Sequence, residues 1–335
     1  MKNKSKVKTL TLQDRSDTSF YQFNPVFGFW GKPDIERDVS FEQRRDEVIR
    51  VSHNAEGNRD SPFDRSCGKK TILCVGGSHT WGGGVEQHLR YTDRLSERSG
   101  LDVINLGHCS LGFDQVCLTL LEKSSFYSPN IVIVEQYPWA IHRVLNTFVN
   151  GYVKPHFFLD SQQKLKLQKV PWLARFKIFR AMIGAFHSYR KEFREFQAGI
   201  NLKEGYDPAC DPIFLYWKSS YYDYLYKLVD SILGVMRDFC LQRGIKLLFA
   251  LGVVGQRLGP QSGSALVDYD LPRNRLIHLL EKNQIRFVDM TNKMLLEHSE
   301  KAPVIFFDGH INAKGHDIFS QVLFDKLNDL GWLTT

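Results

Sequence analysis

Much of what this 335-residue chain could do is excluded by what it lacks. Its six cysteines (Cys67, Cys74, Cys109, Cys117, Cys210 and Cys240) include no C-x-x-C pair, which argues against a zinc site or a disulfide framework. Cys74 and Cys117 sit in apolar runs and read as small core hydrophobes. No window approaches the ~18 consecutive apolar residues that a bilayer-spanning helix needs. The opening stretch MKNKSKVKTLTLQDRSD has no apolar core of the kind a secretory signal carries, so a cytoplasmic location is expected. Nucleotide binding is disfavoured. There is no G-x-x-x-x-G-K-[ST] string, and the glycines around position 80 do not fit G-x-G-x-x-G. No pattern calls for a metal or an organic cofactor.

Charge is nearly balanced except in one place. The chain carries 44 Lys+Arg against 37 Asp+Glu, a net of +7. Residues 151–205 hold 11 of those cations and 4 of the acids, so the whole excess falls in this segment. No nucleic-acid recognition motif accompanies it, and nucleic acid is not expected as a partner. With 43% hydrophobic and 24% charged residues, the remainder has ordinary globular composition.

Residues 1–68 show little periodicity and read as a loop-rich lead-in to a domain at 69–335. There, five short apolar runs lie at Thr71–Val75, 101–106, 131–134, 245–251 and 285–288. Near-continuous apolar character is expected of parallel strands covered on both faces. Helical patterns fall between them at 115–123, 219–243 and 271–282, with a last one at about 312–330. The alternation predicts an α/β fold, a three-layer α/β/α sandwich around a five-stranded parallel sheet, with ligands at the carboxyl ends of the strands. The long interval between the third and fourth runs predicts a helical insertion at about 151–217. Within it, 173–197 spaces Phe176, Phe179, Ile183, Phe186 and Phe193 as one helix face, interleaved with Arg175, Arg180, Arg190 and Arg194. That basic helix is open to three readings: a solvated face, contact with an anionic membrane surface, or recruitment of an acidic substrate.

Two loops carry candidate chemistry. The first strand runs into Gly76-Gly77-Ser78-His79-Thr80-Trp81-Gly82, where a serine between glycines can present its hydroxyl beside backbone N–H groups. The bland alternative is a glycine-rich turn with a serine cap. Near the end of the chain, Asp308-Gly309-His310 precedes the last helix. There Asp308 can hold the His310 imidazole while it takes a proton from Ser78. The bland alternative is that Asp308 and Asn312 cap that helix. His79 and His108 read as pocket-lining or surface residues, His316 as packed in the helix. Tyr216, Trp217, Tyr221, Tyr222, Tyr224 and Tyr226 form an aromatic cluster read as core or, alternatively, a sugar-binding face.

These motifs together resemble the SGNH/GDSL-type serine hydrolases, whose blocks occur in this order. The resemblance implies a flavodoxin-like sheet, Ser78 as nucleophile, His310 as general base and Asp308 as its orienting carboxylate. The family often has aspartate where this chain has Gly77. The second block resembles Val103–Gly112, and the family's glycine that donates an oxyanion-hole N–H aligns with Ser110. The third block departs: Trp139 stands where the family places an asparagine donor. The Trp139 indole and the Gln136 amide are the two candidate substitutes. Lead-in segments 27–33 and 54–59 resemble those of SGNH-like proteins linked to bacterial polysaccharide synthesis. Expected from the resemblance is hydrolysis of an acyl ester, an O-acetyl group on a small molecule or carbohydrate. Acyl transfer through the same acyl-enzyme, or a weakly catalytic binding module, stays open.

Overall fold

The computed structural model describes residues 8–10, 20–41, 44–64, 70–186, 212–214, 220–253, 255–258, 267–306 and 309–333. The lead-in is richer in structure than its sequence suggests. Its described residues hold five strands, β1 (Lys8–Leu10), β2 (Tyr21–Asn24), β3 (Gly28–Gly31), β4 (Glu36–Phe41) and β5 (Arg44–Ser52). β2 and β3 form an antiparallel hairpin; β5 pairs antiparallel and β1 parallel with β4. The Asn24 side chain closes the hairpin by accepting the Val26 and Phe27 N–H groups at 2.9 and 3.0 Å. What holds this segment down is aromatic burial: Phe20, Tyr21, Phe27, Phe29 and Trp30 all enter the main core.

The five apolar runs form one sheet. In chain order its elements are β6 (Thr71–Val75), α1 (Ser78–Trp81), α2 (Tyr91–Ser99), β7 (Asp102–Asn105), α3 (Phe113–Tyr127) and β8 (Ile131–Gln136). An excursion follows: a 3-10 segment at Pro138–Leu145, the hairpins β9 (Phe148–Val149) with β10 (Tyr152–Val153) and β11 (His156–Leu159) with β12 (Leu165–Gln168), a 3-10 turn at Trp172–Arg175, and α4 (Lys177–Phe186). The basic helix expected over 173–197 is therefore described as α4, and residues 187–211 lie outside the described residues. The chain returns through α5 (Ser220–Gln242), β13 (Lys246–Leu251), α6 (Leu271–Lys282), β14 (Arg286–Asp289), α7 (Thr291–Glu297) and α8 (Ala313–Asp329).

The strand order is β14-β13-β8-β6-β7, with every neighbouring pair parallel. Alternate residues of each inner strand feed opposite faces. Leu73, Val75, Val132, Val134, Phe249 and Leu251 join the cluster under α3, α5 and α6. Ile72, Cys74, Ile131, Ile133, Leu248 and Ala250 join the one under α2 and α8. Burial on both faces gives the three layers and explains the unbroken apolar runs. The order reverses between β6 and β8: the helix that follows β6, α2, lies on one face, and the helix that follows β8, α5, lies on the other. The crevice at the carboxyl ends of β6 and β8 is thus the expected ligand position. Among the described residues no helix is long and apolar enough to cross a membrane.

Candidate active site

The turn after β6 lies at that crevice. Gly76 is required by space: a Cβ there would lie 2.2 Å from Thr80 Oγ1 and 2.5 Å from Glu135 Oε2. Ser78 is the first residue of α1, a single turn closed at Gly82 in the left-handed region (φ 86°), where the Gly82 and Gly83 N–H groups donate to the Ser78 carbonyl at 3.0 and 2.9 Å. Ser78 Oγ is 2.7 Å from His310 Nε2. His310 comes from the far end of the chain through a tight loop, with Gly309 at φ 85° and a 2.9 Å bond from the Gly309 N–H to the Phe306 carbonyl. Asp308 lies outside the described residues. Asn312, the alternative helix cap, does cap α8, its side chain accepting the Gly315 N–H at 3.0 Å.

Sequence reasoning missed the residue beneath this turn. Glu135, the penultimate residue of β8, is buried, and its Oε2 accepts the Gly77 N–H at 2.9 Å and the Thr80 hydroxyl at 2.8 Å. Burial raises its pKa; the Thr80 and Gly77 hydrogen bonds pull it back. Its only sequence signal is a lone acid after an all-apolar run. Of the two readings of His79, pocket-lining or surface, the second does not hold. Far from being on the surface, it is buried, its ring stacked on Tyr137 at 3.6 Å between centroids and on His310 at 4.8 Å. The Ile311 N–H approaches His79 Nδ1 at 3.5 Å.

The loop after β7 lies against this turn. The His108 N–H donates to the Gly76 carbonyl at 3.3 Å, and a Cβ on Gly107 would lie 2.4 Å from Trp81 N. Asn105 ties the two loops together: its amide donates to the Thr80 carbonyl at 2.5 Å and to Thr92 Oγ1 at 3.0 Å, while its carbonyl accepts the Gly107 N–H at 2.9 Å. Ser110 sits at φ 65°, the left-handed region that glycine favours, at a cost of about 1–2 kcal/mol. Its neighbour Cys109 is pinned from two sides, by Tyr21 OH accepting the Cys109 N–H at 2.9 Å and by Asn150 Nδ2 donating to the Cys109 carbonyl at 3.4 Å. His108 is fully buried on the Trp30 ring, and burial holds it neutral, well below the ordinary histidine range. Of the two substitutes for the third-block asparagine, Gln136 is buried and its amide donates to the Tyr137 carbonyl at 2.8 Å. Trp139 is half-buried with the Arg143 guanidinium 4.8 Å over its ring.

The lead-in reaches the same turn through Arg59, which is fully buried. Its guanidinium donates to the carbonyls of Gly82 at 2.6 Å and Val85 at 2.7 Å, and lies 4.7 Å from the Trp81 ring centroid. Burial, with the nearby Arg90 charge, pushes its pKa down to about 9, so it stays cationic at neutral pH. Arg90 in turn donates to the Arg59 carbonyl. The other singled-out residues are structural. His316 accepts the Tyr91 N–H at 3.1 Å, and Tyr222 and Tyr226 each lie 5.0 Å from the Arg275 guanidinium. Tyr216 and Trp217 lie outside the described residues. Among the described residues no group of three or more His, Cys, Asp or Glu side chains is placed to hold a metal ion.

No family model matches the chain, and no curated protein matches it. Solved structures do. The chain is similar to the psychrotrophic esterase EstA from Pseudoalteromonas sp., at 10% identity and a TM-score of 0.42 over 79% of this chain and 100% of that one. It is similar to the acetyl xylan esterase AlAXEase at 11% identity and a TM-score of 0.44, over 77% and 99% of the two chains. A member of the lipolytic G-D-S-L family from Veillonella parvula stands at 10% identity and a TM-score of 0.42, over 77% of this chain and 98% of its own.

Proposed function

We propose that this protein is a serine hydrolase of the SGNH/GDSL type that cleaves an acyl ester. The observation that carries the reading is the 2.7 Å approach of Ser78 Oγ to His310 Nε2, from loops 232 residues apart, at the carboxyl edge of a parallel sheet. For attack, the Nδ1 of His310 carries the ring proton and Nε2 accepts the serine proton. Asp308, two residues earlier in sequence, is the group proposed to hold that tautomer. Ser78 Oγ then adds to the ester carbonyl. The oxyanion falls to the N–H groups of Ser78 and Ser110, each donor being worth roughly 2.7–4 kcal/mol in the transition state. The Gln136 amide gives one of its two N–H donors to the Tyr137 carbonyl, so its other N–H and the Trp139 indole are the two side-chain candidates for a third donor. His310 returns the proton to the leaving alcohol, and water releases the acid from the acyl-enzyme by the reverse roles.

The finer assignment is an O-acetyl ester on a carbohydrate. It rests on the likeness of segments 27–33 and 54–59 to lead-ins of polysaccharide-associated proteins. A binding or assembly role is the second reading, favoured by Trp139 standing where the family has its third-block asparagine and by Gly77 standing where the family often has aspartate. Intact-mass spectrometry after a fluorophosphonate probe separates the two. A single adduct on the wild type that is absent from Ser78→Ala supports the hydrolase. No adduct, under conditions that label a control hydrolase, would leave the binding module as the better account.

A further inference from the structure

Residues 161–186 contain six cations (Lys164, Lys166, Lys169, Arg175, Lys177 and Arg180) and no acid. The same stretch exposes large apolar side chains that a soluble surface ordinarily hides: Trp172 is 66% exposed, Phe176 45%, Ile178 76% and Met182 59%. The exposure follows from helix geometry. Ile178 and Met182, one turn apart on α4, point outward together, while Phe179 and Ile183 on the adjoining face are half-buried. Arg175 lies 5.1 Å from the Trp172 ring centroid and 4.6 Å from that of Phe176, so charge and apolar surface share one face.

We propose that this face binds the surface of an anionic phospholipid bilayer. Lysines are depleted from protein interfaces, whereas exposed Trp, Phe and Ile in a segment of six cations and no acid, with the Arg175 guanidinium over two of the rings, match the acyl-headgroup boundary of an anionic leaflet. A nucleic-acid backbone would use the cations but leave Ile178 and Met182 without a partner. The face is also wired to the candidate site. Arg180 Nε donates to the Gly151 carbonyl at 3.1 Å, and a Cβ on Gly184 would lie 2.8 Å from the Phe148 ring, so α4 braces the β9–β10 hairpin. The tip of that hairpin carries Asn150, which holds the Cys109 carbonyl beside Ser110. Joined to the ester reading, on which this last step alone rests, the substrate class becomes an ester presented at a membrane surface.

The test is co-sedimentation of the full chain with vesicles of phosphatidylcholine alone or mixed equally with phosphatidylglycerol. Binding is expected on the anionic vesicles only, weakening as salt rises. Trp172→Ala with Ile178→Ala should weaken it about tenfold or more. Changing Lys164, Lys166 and Lys169 to Gln should weaken it about fivefold per lysine. All of these side chains are exposed, so melting temperatures should hold. Ser78→Ala should sediment like the wild type, which separates this contact from the ester chemistry. No binding to anionic vesicles, or undiminished binding in both variants, overturns the proposal. So does a dimer that Trp172→Ala with Ile178→Ala abolishes in the absence of vesicle binding, since a second copy would then be the occupant. Vesicle binding without a faster rate on a vesicle-embedded ester than on its soluble analogue rejects the substrate step alone.

Discussion

Replacing Glu135 by Gln or Leu tests how the Ser78 turn is held. The carboxylate is buried, and one oxygen takes both the Gly77 N–H and the Thr80 hydroxyl. Burial raises its pKa above the ordinary glutamate value, so the folded chain keeps this proton to higher pH than the unfolded chain does. A folded state that binds the extra proton loses stability as pH rises from the unfolded value to the folded one. Each pH unit in that window removes about 1.4 kcal/mol. For a chain of this size that is about 2 °C in melting temperature. Glu135→Gln keeps an acceptor oxygen but has no proton to lose. Its melting temperature should therefore gain on the wild type as pH rises above about 4.3 and then level off. Glu135→Leu orphans two buried donors at about 1–3 kcal/mol each, a fall of roughly 3–9 °C, and should slow fluorophosphonate labelling of Ser78 as the turn loosens. Melting curves of the three proteins across pH 4–8 decide the matter. A Gln advantage that stays flat or shrinks with pH would refute the reasoning, because the two hydrogen bonds would then outweigh burial.

Three further outcomes are expected. Lys154 and Asp114 form a fully buried pair at 2.7 Å, with Lys154 Nζ also on the Arg143 carbonyl at 2.7 Å; Lys154→Met should cost about 3–5 kcal/mol by urea melts, and adding Asp114→Asn should recover part of it. Gly76→Ala forces a methyl to within 2.5 Å of both Thr80 Oγ1 and Glu135 Oε2, so fluorophosphonate labelling should fall far more than that of a control such as Gly234→Ala in α5, whose Cβ meets nothing nearer than 3.8 Å. His79→Ala removes the ring stacked on His310 and should slow labelling by about one to two orders of magnitude, with His79→Phe restoring most of the rate.

The sheet was legible because its strands are covered on both faces: Thr71–Val75 is a strand over the same residues as its apolar run, and the other four agree to within two residues. Helix α2 escaped notice since only Tyr91, Thr92 and Leu95 of its nine residues turn inward. The lead-in strands were hidden for a different reason. Their anchors are aromatics at irregular spacing, which give no period to read, and their partners lie in α3 and the β9–β10 hairpin. Ser78 and His310 announced themselves by glycine punctuation and position at strand ends. Glu135 and His79 did not, because what makes them matter is the turn that closes over the one and the rings that meet the other. Arg59 likewise looks like any loop arginine until the carbonyls of Trp81, Gly82 and Val85 converge on it.

That guanidinium bears on how the chain can be divided. Residues 69–335 look like a free-standing unit, and trimming the protein to them would be a natural step for expression or crystallisation. Such a fragment would strip the hydrogen-bond donors from the carbonyls of Trp81, Gly82 and Val85, uncover the indole of Trp81, and leave Arg90 without the Arg59 carbonyl. The shortest piece of this protein that can keep Ser78 in place therefore begins upstream of Arg59, and the lead-in is a structural part of the turn that carries Ser78.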